Sequence, residues 1–255
     1  MRIAAVYDIH GNLPALEAVL NDVHELEVEH IVVGGDVVAG PMPVETLNRL
    51  QAESTKTPIS FIHGNAESEV LRCVAGQPIQ GLSPVADDLA RWVTSVLRPE
   101  QIEFLSSWQT TVELEGKNGR KFLFCHATPQ NDIDVFTEQT PDKKVRALLG
   151  NVTVPTIICG HTHMQFERFV GNLQIVNAGS VGMPFGHTGA AWLLIDESIA
   201  FKRTEYHLEK AAARIEQTNY PQAKHFAAEN VLKAPTVAQA SALLIQLESQ
   251  QASSR

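Results

Sequence analysis

Residues 4–20 read AAVYDIHGNLPALEAVL and combine an apolar run, a polar turn and an amphipathic segment. The apolar run covers residues 2–7, which predicts a strand, and apolar side chains recur at helical spacing over residues 13–26. Asn12 stands where a helix N-cap is expected, and Pro14 falls in the first helical turn. A strand that leads directly into a helix predicts a parallel sheet with crossover connections.

The same pattern continues along the first half of the chain. His30–Val33 predicts a second strand, residues 41–50 begin another helix, and residues 58–63 predict a third strand. Later segments form pairs joined by turn residues, which predicts three antiparallel hairpins: 112–114 with 121–125, 165–170 with 173–176, and 191–196 with 200–206. We therefore expect an antiparallel meander that follows a parallel sheet.

Two sheets with helices outside them would form a four-layer α/β/β/α sandwich. We expect one domain over residues 1–255, because no linker or internal repeat interrupts the chain. Residues 68–108 read as a helical insertion or cap, and residues 209–248 as a C-terminal helical segment.

Charge and hydropathy exclude several classes of partner. The 20 basic and 29 acidic side chains give a net charge of −9, which argues against a nucleic-acid backbone or an anionic membrane as partner. A small anionic substrate stays compatible, since metal ions can reverse the local sign. No run approaches the 18 apolar residues of a membrane span, and residues 1–20 lack a secretory leader, so we expect a cytoplasmic protein.

Side chains able to bind a metal ion follow five of the apolar strands. Strand ends converge on one edge of a parallel sheet, so these donors should meet there. Each one alone is more often a turn or capping residue, but their joint occurrence predicts a metal site at the carboxyl ends of the strands. The donors are Asp8, His10, Asp36, Asn65, His126, His161 and His163.

The donor chemistry narrows the metal and the reaction. Carboxylate, imidazole and amide donors without thiolate favour Mn²⁺, Fe²⁺, Co²⁺, Ni²⁺ or Zn²⁺. Seven donors suit two divalent ions that share a bridging carboxylate, and the two aspartates leave positive charge for a phosphate oxyanion. Two metals about 3.5–4 Å apart can activate a bridging water and hold a phosphoryl group. We therefore predict hydrolysis of a small phosphate ester by a metal-bridging hydroxide.

DIH (8–10), GD (35–36), GN (64–65), His126 and GHTH (160–163) resemble the motifs of the calcineurin-like metallophosphoesterases, in order and spacing. VNAGSVGMP (176–184) and TGAAWLLID (188–196) resemble a small bacterial and archaeal branch of phosphodiesterases and relatives of diadenosine tetraphosphate hydrolases. The resemblance implies an α/β/β/α sandwich with a dimetal centre at the strand ends.

The resemblance also implies roles for individual residues. It assigns two ligand sets and one bridge: Asp8, His10 and His163 for the first metal, Asn65, His126 and His161 for the second, and Asp36 between them. Mn²⁺ is the first expectation for both ions. Asp36 and Asn65 are expected to take part in catalysis, and Asn12 and Asn65 to contact the substrate.

One position departs from the family pattern. The family commonly has a histidine after GN that positions the phosphate and protonates the leaving group, but this chain has Ala66, followed by Glu67. His187 and His63 are candidates for a replacement acid by position alone. His225 is expected on a helix surface away from the donors.

A phosphodiesterase is the leading hypothesis. The first alternative is a hydrolase of dinucleoside polyphosphates or nucleotides. The second is a weakly active or inactive protein that binds partners, as the retromer subunit with this fold does. This chain keeps all seven donors, which favours catalysis over the partner-binding alternative.

Overall fold

The computed structural model describes residues 1–79 and 84–253. Its strands are β1 Ile3–Val6, β2 His30–Val33, β3 Ile59–Phe61, β4 Thr111–Glu115, β5 Lys121–Cys125, β6 Thr156–Cys159, β7 Gln165–Val170, β8 Leu173–Ala178, β9 Ala190–Ile195 and β10 Ile199–Thr204. Its helices are α1 Leu13–Glu25, α2 Pro43–Ser54, α3 Asn65–Val74, α4 Pro84–Val96, α5 Pro99–Ser106, α6 Asp142–Leu149, α7 Leu208–Glu216, α8 Ala223–Phe226 and α9 Val237–Ser253.

The strands form two mixed sheets, with orders β10-β9-β1-β2-β3 and β4-β5-β6-β8-β7. Strands β1, β2 and β3 run parallel, and so do β5, β6 and β8. The chain leaves the first sheet after β3, builds the second, and returns with the β9–β10 hairpin, which pairs antiparallel with β1. The expected sequence of a parallel sheet and then a meander is therefore wrong. Turn residues identify the hairpin partners, but not the sheet that a hairpin joins.

Side-chain alternation along the strands builds the layers. In β1, Ile3 and Ala5 pack against residues of the second sheet, including Phe124 of β5. Ala4 and Val6 point the other way, into the core beneath α1 and α2. Leu123 of β5 likewise packs against α6. Each fully buried isoleucine or leucine contributes about 1.5–3 kcal/mol relative to exposure. The fold is the predicted α/β/β/α sandwich.

The helical insertion and the C-terminal segment pack against each other. Trp92 of α4 contacts Tyr220 edge to face, with ring centroids 5.2 Å apart. Helix α9 continues to Ser253, beyond the expected end at residue 248. Residues 80–83 of the predicted insertion lie outside the described residues. Among the helices in residues 1–79 and 84–253, none has both the length and the apolar character of a membrane span.

Candidate metal centre

The carboxyl ends of five strands bring the predicted donors into two groups. Asp8, His10 and His163 each offer a ligand atom, and these atoms lie within 4.8 Å of one another. Asp36, His126 and His161 form a second group that meets the same limit. Asn65 lies beside the second group, with its amide oxygen 3.3 Å from His126 Nε2.

The backbone at these positions adopts an uncommon conformation. Five donors have a positive φ, between 48° and 68°: Asp8, His10, Asp36, His161 and His163. The left-handed region costs roughly 1–2 kcal/mol for a residue other than glycine. At these five positions the left-handed conformation changes the direction of the chain just after the preceding strand. Hydrogen bonds between neighbouring loops hold these turns, including Asp8 N to Gly35 O at 3.0 Å and His10 N to Asp36 O at 2.8 Å.

Glycine in the GD and GN motifs allows the strand ends to approach closely. A Cβ at Gly64 would lie 2.3 Å from Asp36 Oδ1. A Cβ at Gly35 would lie 2.5 Å from Gly64 N and 2.7 Å from His126 Nδ1, and Gly35 has φ +95°. Neither site can accept a side chain without displacing a donor.

Two imidazoles direct lone pairs at the same point. Nδ1 of His10 lies 3.0 Å from Ala39 O, and Nδ1 of His163 lies 3.0 Å from Met183 O. A carbonyl oxygen only accepts, so each Nδ1 carries the proton and each Nε2 keeps a free lone pair. The two Nε2 atoms are 3.0 Å apart. Two lone pairs at this distance repel each other unless a cation binds them.

The Asp8 carboxylate also fits a cation. Its Oδ2 accepts a hydrogen bond from the backbone N–H of His161 at 2.8 Å. Its Oδ1 is buried without a hydrogen-bond donor among the described residues, and lies 3.4 Å from His163 Nε2. Burial opposes ionisation of Asp8, but the facing imidazoles hold the pKa of its carboxyl below the usual value. An orphaned carboxylate oxygen beside imidazole lone pairs is an arrangement suited to a divalent metal.

Asp36 lies between the two groups. Its Oδ1 accepts a hydrogen bond from the backbone N–H of Ala66 at 2.8 Å and lies 3.6 Å from His126 Nε2. Its Oδ2 lies 3.8 Å from His10 Nε2. Each oxygen of Asp36 therefore approaches a histidine of a different group, which suits the bridging role expected of Asp36.

In the second group, Nδ1 of His126 donates to Gly34 O at 2.8 Å, which directs Nε2 toward the other donors. Burial opposes protonation of His126, but the nearby Asp36 and Asp8 raise its pKa above the usual value, so a metal bound at Nε2 would displace a proton. Burial, and after it the neighbouring His126, lower the pKa of His161 to about 4. His161 is therefore neutral at pH 7.

Glu67 organises the loops that carry Asp36 and Asn65. Its buried carboxylate accepts backbone N–H bonds from Asp36, Val37 and Gly64 at 2.9 Å and from Val38 at 3.2 Å. Burial and the nearby Asp36 raise the pKa of Glu67 to about 7, while the N–H donors act in the opposite direction. The sequence signal for this role of Glu67 was its position three residues after Gly64, which is the spacing of a glutamate in a helix capping box.

The end of β8 and the loop after it bind two of the loops that carry donors. Ser180 Oγ donates to the backbone oxygen of Asp8 at 2.7 Å. Asn177 Nδ2, in β8, donates to Gly160 O at 2.6 Å and so holds the GHTH loop.

The side chain of Asn12 forms hydrogen bonds to other parts of the fold. Its amide oxygen accepts a hydrogen bond from Ala15 N at 3.2 Å and caps α1, as expected. Its amide nitrogen donates to Gly182 O at 3.0 Å and to Tyr206 OH at 3.3 Å. Asn12 is fully buried, so contact with substrate does not fit this position.

The structure also shows where the two candidate replacement acids, His187 and His63, lie. His187 is exposed on the loop before β9 and is not among the described residues that line the cavity beside the donors, so its catalytic role stays a prediction. His63 is half-buried, with Nε2 2.7 Å from Leu105 O, and lies outside the same lining. His225, expected on a distant surface, does line that cavity. Helix α8 carries it there through long-range packing.

A cavity of about 420 Å³ adjoins the donors and includes His10, Asp36, Asn65, His161 and His163 in its wall. The two donor groups thus open onto a space large enough for a small organic substrate.

Comparisons with known proteins agree with this geometry. The sequence model of the Calcineurin-like phosphoesterase superfamily domain matches residues 1–198. Protein MJ0912 of Methanocaldococcus jannaschii is 28% identical over 241 residues, which cover 86% of this chain and 94% of that protein. Phosphodiesterase YfcE of Escherichia coli K12 is 26% identical over 208 residues, 78% of this chain and 89% of that enzyme.

The fold agrees with a solved structure as well. A metallophosphoesterase from Sphaerobacter thermophilus superposes with a TM-score of 0.70 at 23% identity, covering 91% of this chain and all of that one. At this identity the likeness establishes the fold alone. The family match extends over most of the chain, and this protein belongs to the calcineurin-like phosphoesterase superfamily.

Proposed function

We propose that this protein is a metal-dependent phosphodiesterase that acts on small phosphate diesters. The observation that carries the proposal is the pair of donor groups that face one cavity, with imidazole lone pairs and an unpartnered Asp8 oxygen directed at common points. Similarity to a phosphodiesterase supports the reaction class.

In this proposal Asp8, His10 and His163 hold one divalent ion, and Asn65, His126 and His161 hold the other. Asp36 would bind between them, because its oxygens approach histidines of both groups. When bound, the ions would supply an activated water and neutralise phosphate charge. The chain's own contribution is orientation. The backbone carbonyls keep the Nδ1 protons in place, and Ala66 N–H holds Asp36. The donors lack thiolate and therefore suit Mn²⁺, Fe²⁺, Co²⁺, Ni²⁺ or Zn²⁺, and Mn²⁺ is our first expectation among these.

The charge of the cavity supports a diester over a polyphosphate. Among the described lining residues there is no lysine or arginine, whereas Asp36 and Glu69 are acidic. A polyphosphate carries several negative charges and would need cationic partners along its length. A diester carries one negative charge.

The cytoplasmic location of the protein stays a prediction from the sequence.

The first experiment removes metal by chelation, restores Mn²⁺, and compares bis-p-nitrophenyl phosphate with p-nitrophenyl phosphate. We expect turnover that depends on metal and favours the diester, with kcat/KM at least about tenfold higher. Chelated protein without added metal is the control. Absence of turnover on both substrates with Mn²⁺, Fe²⁺, Co²⁺, Ni²⁺ and Zn²⁺ would contradict the proposal and favour a partner-binding role.

Ala66→His should restore a leaving-group acid at the family position. Ala66 lines the cavity and is bonded through its N–H to Asp36, so a histidine there would face the reacting phosphate. We expect kcat for esters with poor alkyl leaving groups to rise by about 10²-fold, and much less for p-nitrophenyl esters. Ala66→Gln, which adds similar bulk without an acid, is the matched control. An equal change for both leaving groups would contradict this role.

A further inference from the structure

The cavity beside the donors has an apolar wall, which is mostly aliphatic. Its lining includes Val70 of α3, Leu89 and Val93 of α4, Phe226 of α8, and Leu244 and Leu247 of α9. Val93 and Leu244 are otherwise buried, with exposed fractions of 1% and 3%. Such a wall gains free energy by contact with an apolar group and gives little to a charged one.

Much of this wall comes from outside the region that defines the family. The family match ends at residue 198, whereas α8 and α9 begin at residues 223 and 237. Helix α9 is anchored rather than loosely apposed. Glu248 accepts a hydrogen bond from Thr140 Oγ1 at 3.0 Å and pairs with Lys144 Nζ at 2.8 Å. The apolar wall therefore depends partly on two helices that lie beyond the matched family domain.

The lining also includes polar side chains, among them Glu69, Tyr220 and Gln222. His225 and Asn230 line both this cavity and an adjoining groove that includes Glu229 and Lys233. The donors are polar, most of the other described lining residues are apolar, and none of them is a lysine or arginine that could bind a second phosphate.

We propose that the substrate is a phosphodiester in which one esterified alcohol carries a linear aliphatic chain, seated against this wall while the phosphate faces the donors. The inference rests on the proposed phosphodiesterase function. In the reaction, water adds to phosphorus, the bond from phosphorus to the other alcohol breaks, and the products are the alkyl phosphate and that alcohol. A nucleoside in the same place would set its polar base edges against a lining in which valine, leucine and alanine outnumber the aromatic Phe185, Tyr220 and Phe226.

The test varies the retained group and keeps one leaving group. The substrates are methyl, butyl and hexyl p-nitrophenyl phosphate and thymidine 5′-p-nitrophenyl phosphate, with Mn²⁺-loaded full-length protein. We expect kcat/KM to rise by about three- to fourfold for each buried methylene, or about 50-fold from methyl to butyl. The thymidine ester should be no better than the methyl ester.

Ala90→Leu tests the wall directly. Ala90 lines the cavity from α4, so added bulk there should lower the butyl-to-methyl ratio of kcat/KM by about tenfold. Val85→Leu is the matched control, since Val85 lies on the same helix but is 51% exposed and outside the lining. This control should keep the wild-type ratio. Thermal unfolding of both variants confirms that they are folded.

A binding measurement gives a second readout. Butylphosphonate should bind Mn²⁺-loaded protein about 50-fold more tightly than methylphosphonate in calorimetry. A flat series of kcat/KM values, or a preference for the thymidine ester, would overturn the aliphatic assignment while leaving the phosphodiesterase proposal intact. If the methyl ester and bis-p-nitrophenyl phosphate are both inert with metal present, the phosphodiesterase proposal itself fails.

Discussion

Asp36→Asn should lower kcat/KM for bis-p-nitrophenyl phosphate by about 10³-fold, equivalent to about 4 kcal/mol of transition-state stabilisation. The two Asp36 oxygens face different donor groups, at 3.6 Å from His126 Nε2 and 3.8 Å from His10 Nε2. Asparagine keeps the shape and an oxygen for Ala66 N–H, but it removes the negative charge and one donor oxygen. Metal content, measured by mass spectrometry after gel filtration, should fall together with activity.

The matched control is Asp88→Asn, which removes a carboxylate with 82% of its side chain exposed. It should change neither activity nor metal content by more than about twofold. Thermal unfolding should show that both variants remain folded. If Asp36→Asn keeps wild-type turnover and metal content, the bridging assignment is wrong.

Glu67→Gln should destabilise the protein and weaken catalysis although Glu67 does not line the cavity. Its carboxylate accepts hydrogen bonds from four backbone N–H groups. In glutamine one carboxylate oxygen is replaced by an NH₂ group, which cannot accept a hydrogen bond from these N–H groups. Leaving buried N–H groups unsatisfied costs about 3 kcal/mol in total. At about 2–4 °C per kcal/mol for a chain of this size, we expect Tm to fall by about 6–12 °C.

Activity should decline as well, by about 10–100-fold, because Glu67 holds the backbone of Asp36 in place. Scanning calorimetry and steady-state kinetics below the new Tm would measure the two effects separately. Glu45→Gln in the exposed first turn of α2 is the control and should be neutral. An unchanged Tm in Glu67→Gln would contradict the hydrogen-bonding role.

Short-range patterns in the sequence determine the local elements and the donor set. The apolar run His30–Val33 forms a strand with the expected bounds, and Asn12 caps α1 as its position predicts. The glycines of GD and GN allow the close approach that the donors need. The strand and the cap depend on neighbours within a few residues, through alternation and capping, and glycine's missing side chain is a property of the residue itself.

The tertiary structure alone decided how the pieces combine. Each hairpin was recognisable, but whether it joined the first or the second sheet depended on packing between distant faces. Asn12 directly follows a ligand motif in sequence, yet its side chain forms hydrogen bonds inside the fold. His187 was a candidate acid by position, yet its side chain is exposed. His225 shows the reverse, since helix packing brings it to the cavity.

The chemistry of the site depends on the same long-range contacts. His10 obtains its proton arrangement from the carbonyl of Ala39, and His163 from that of Met183, 29 and 20 residues away along the chain. Residue types specify which atoms can bind a metal. Only the folded chain supplies the acceptors that orient those atoms, the left-handed turns that aim them, and the apolar helices that close the space beside them.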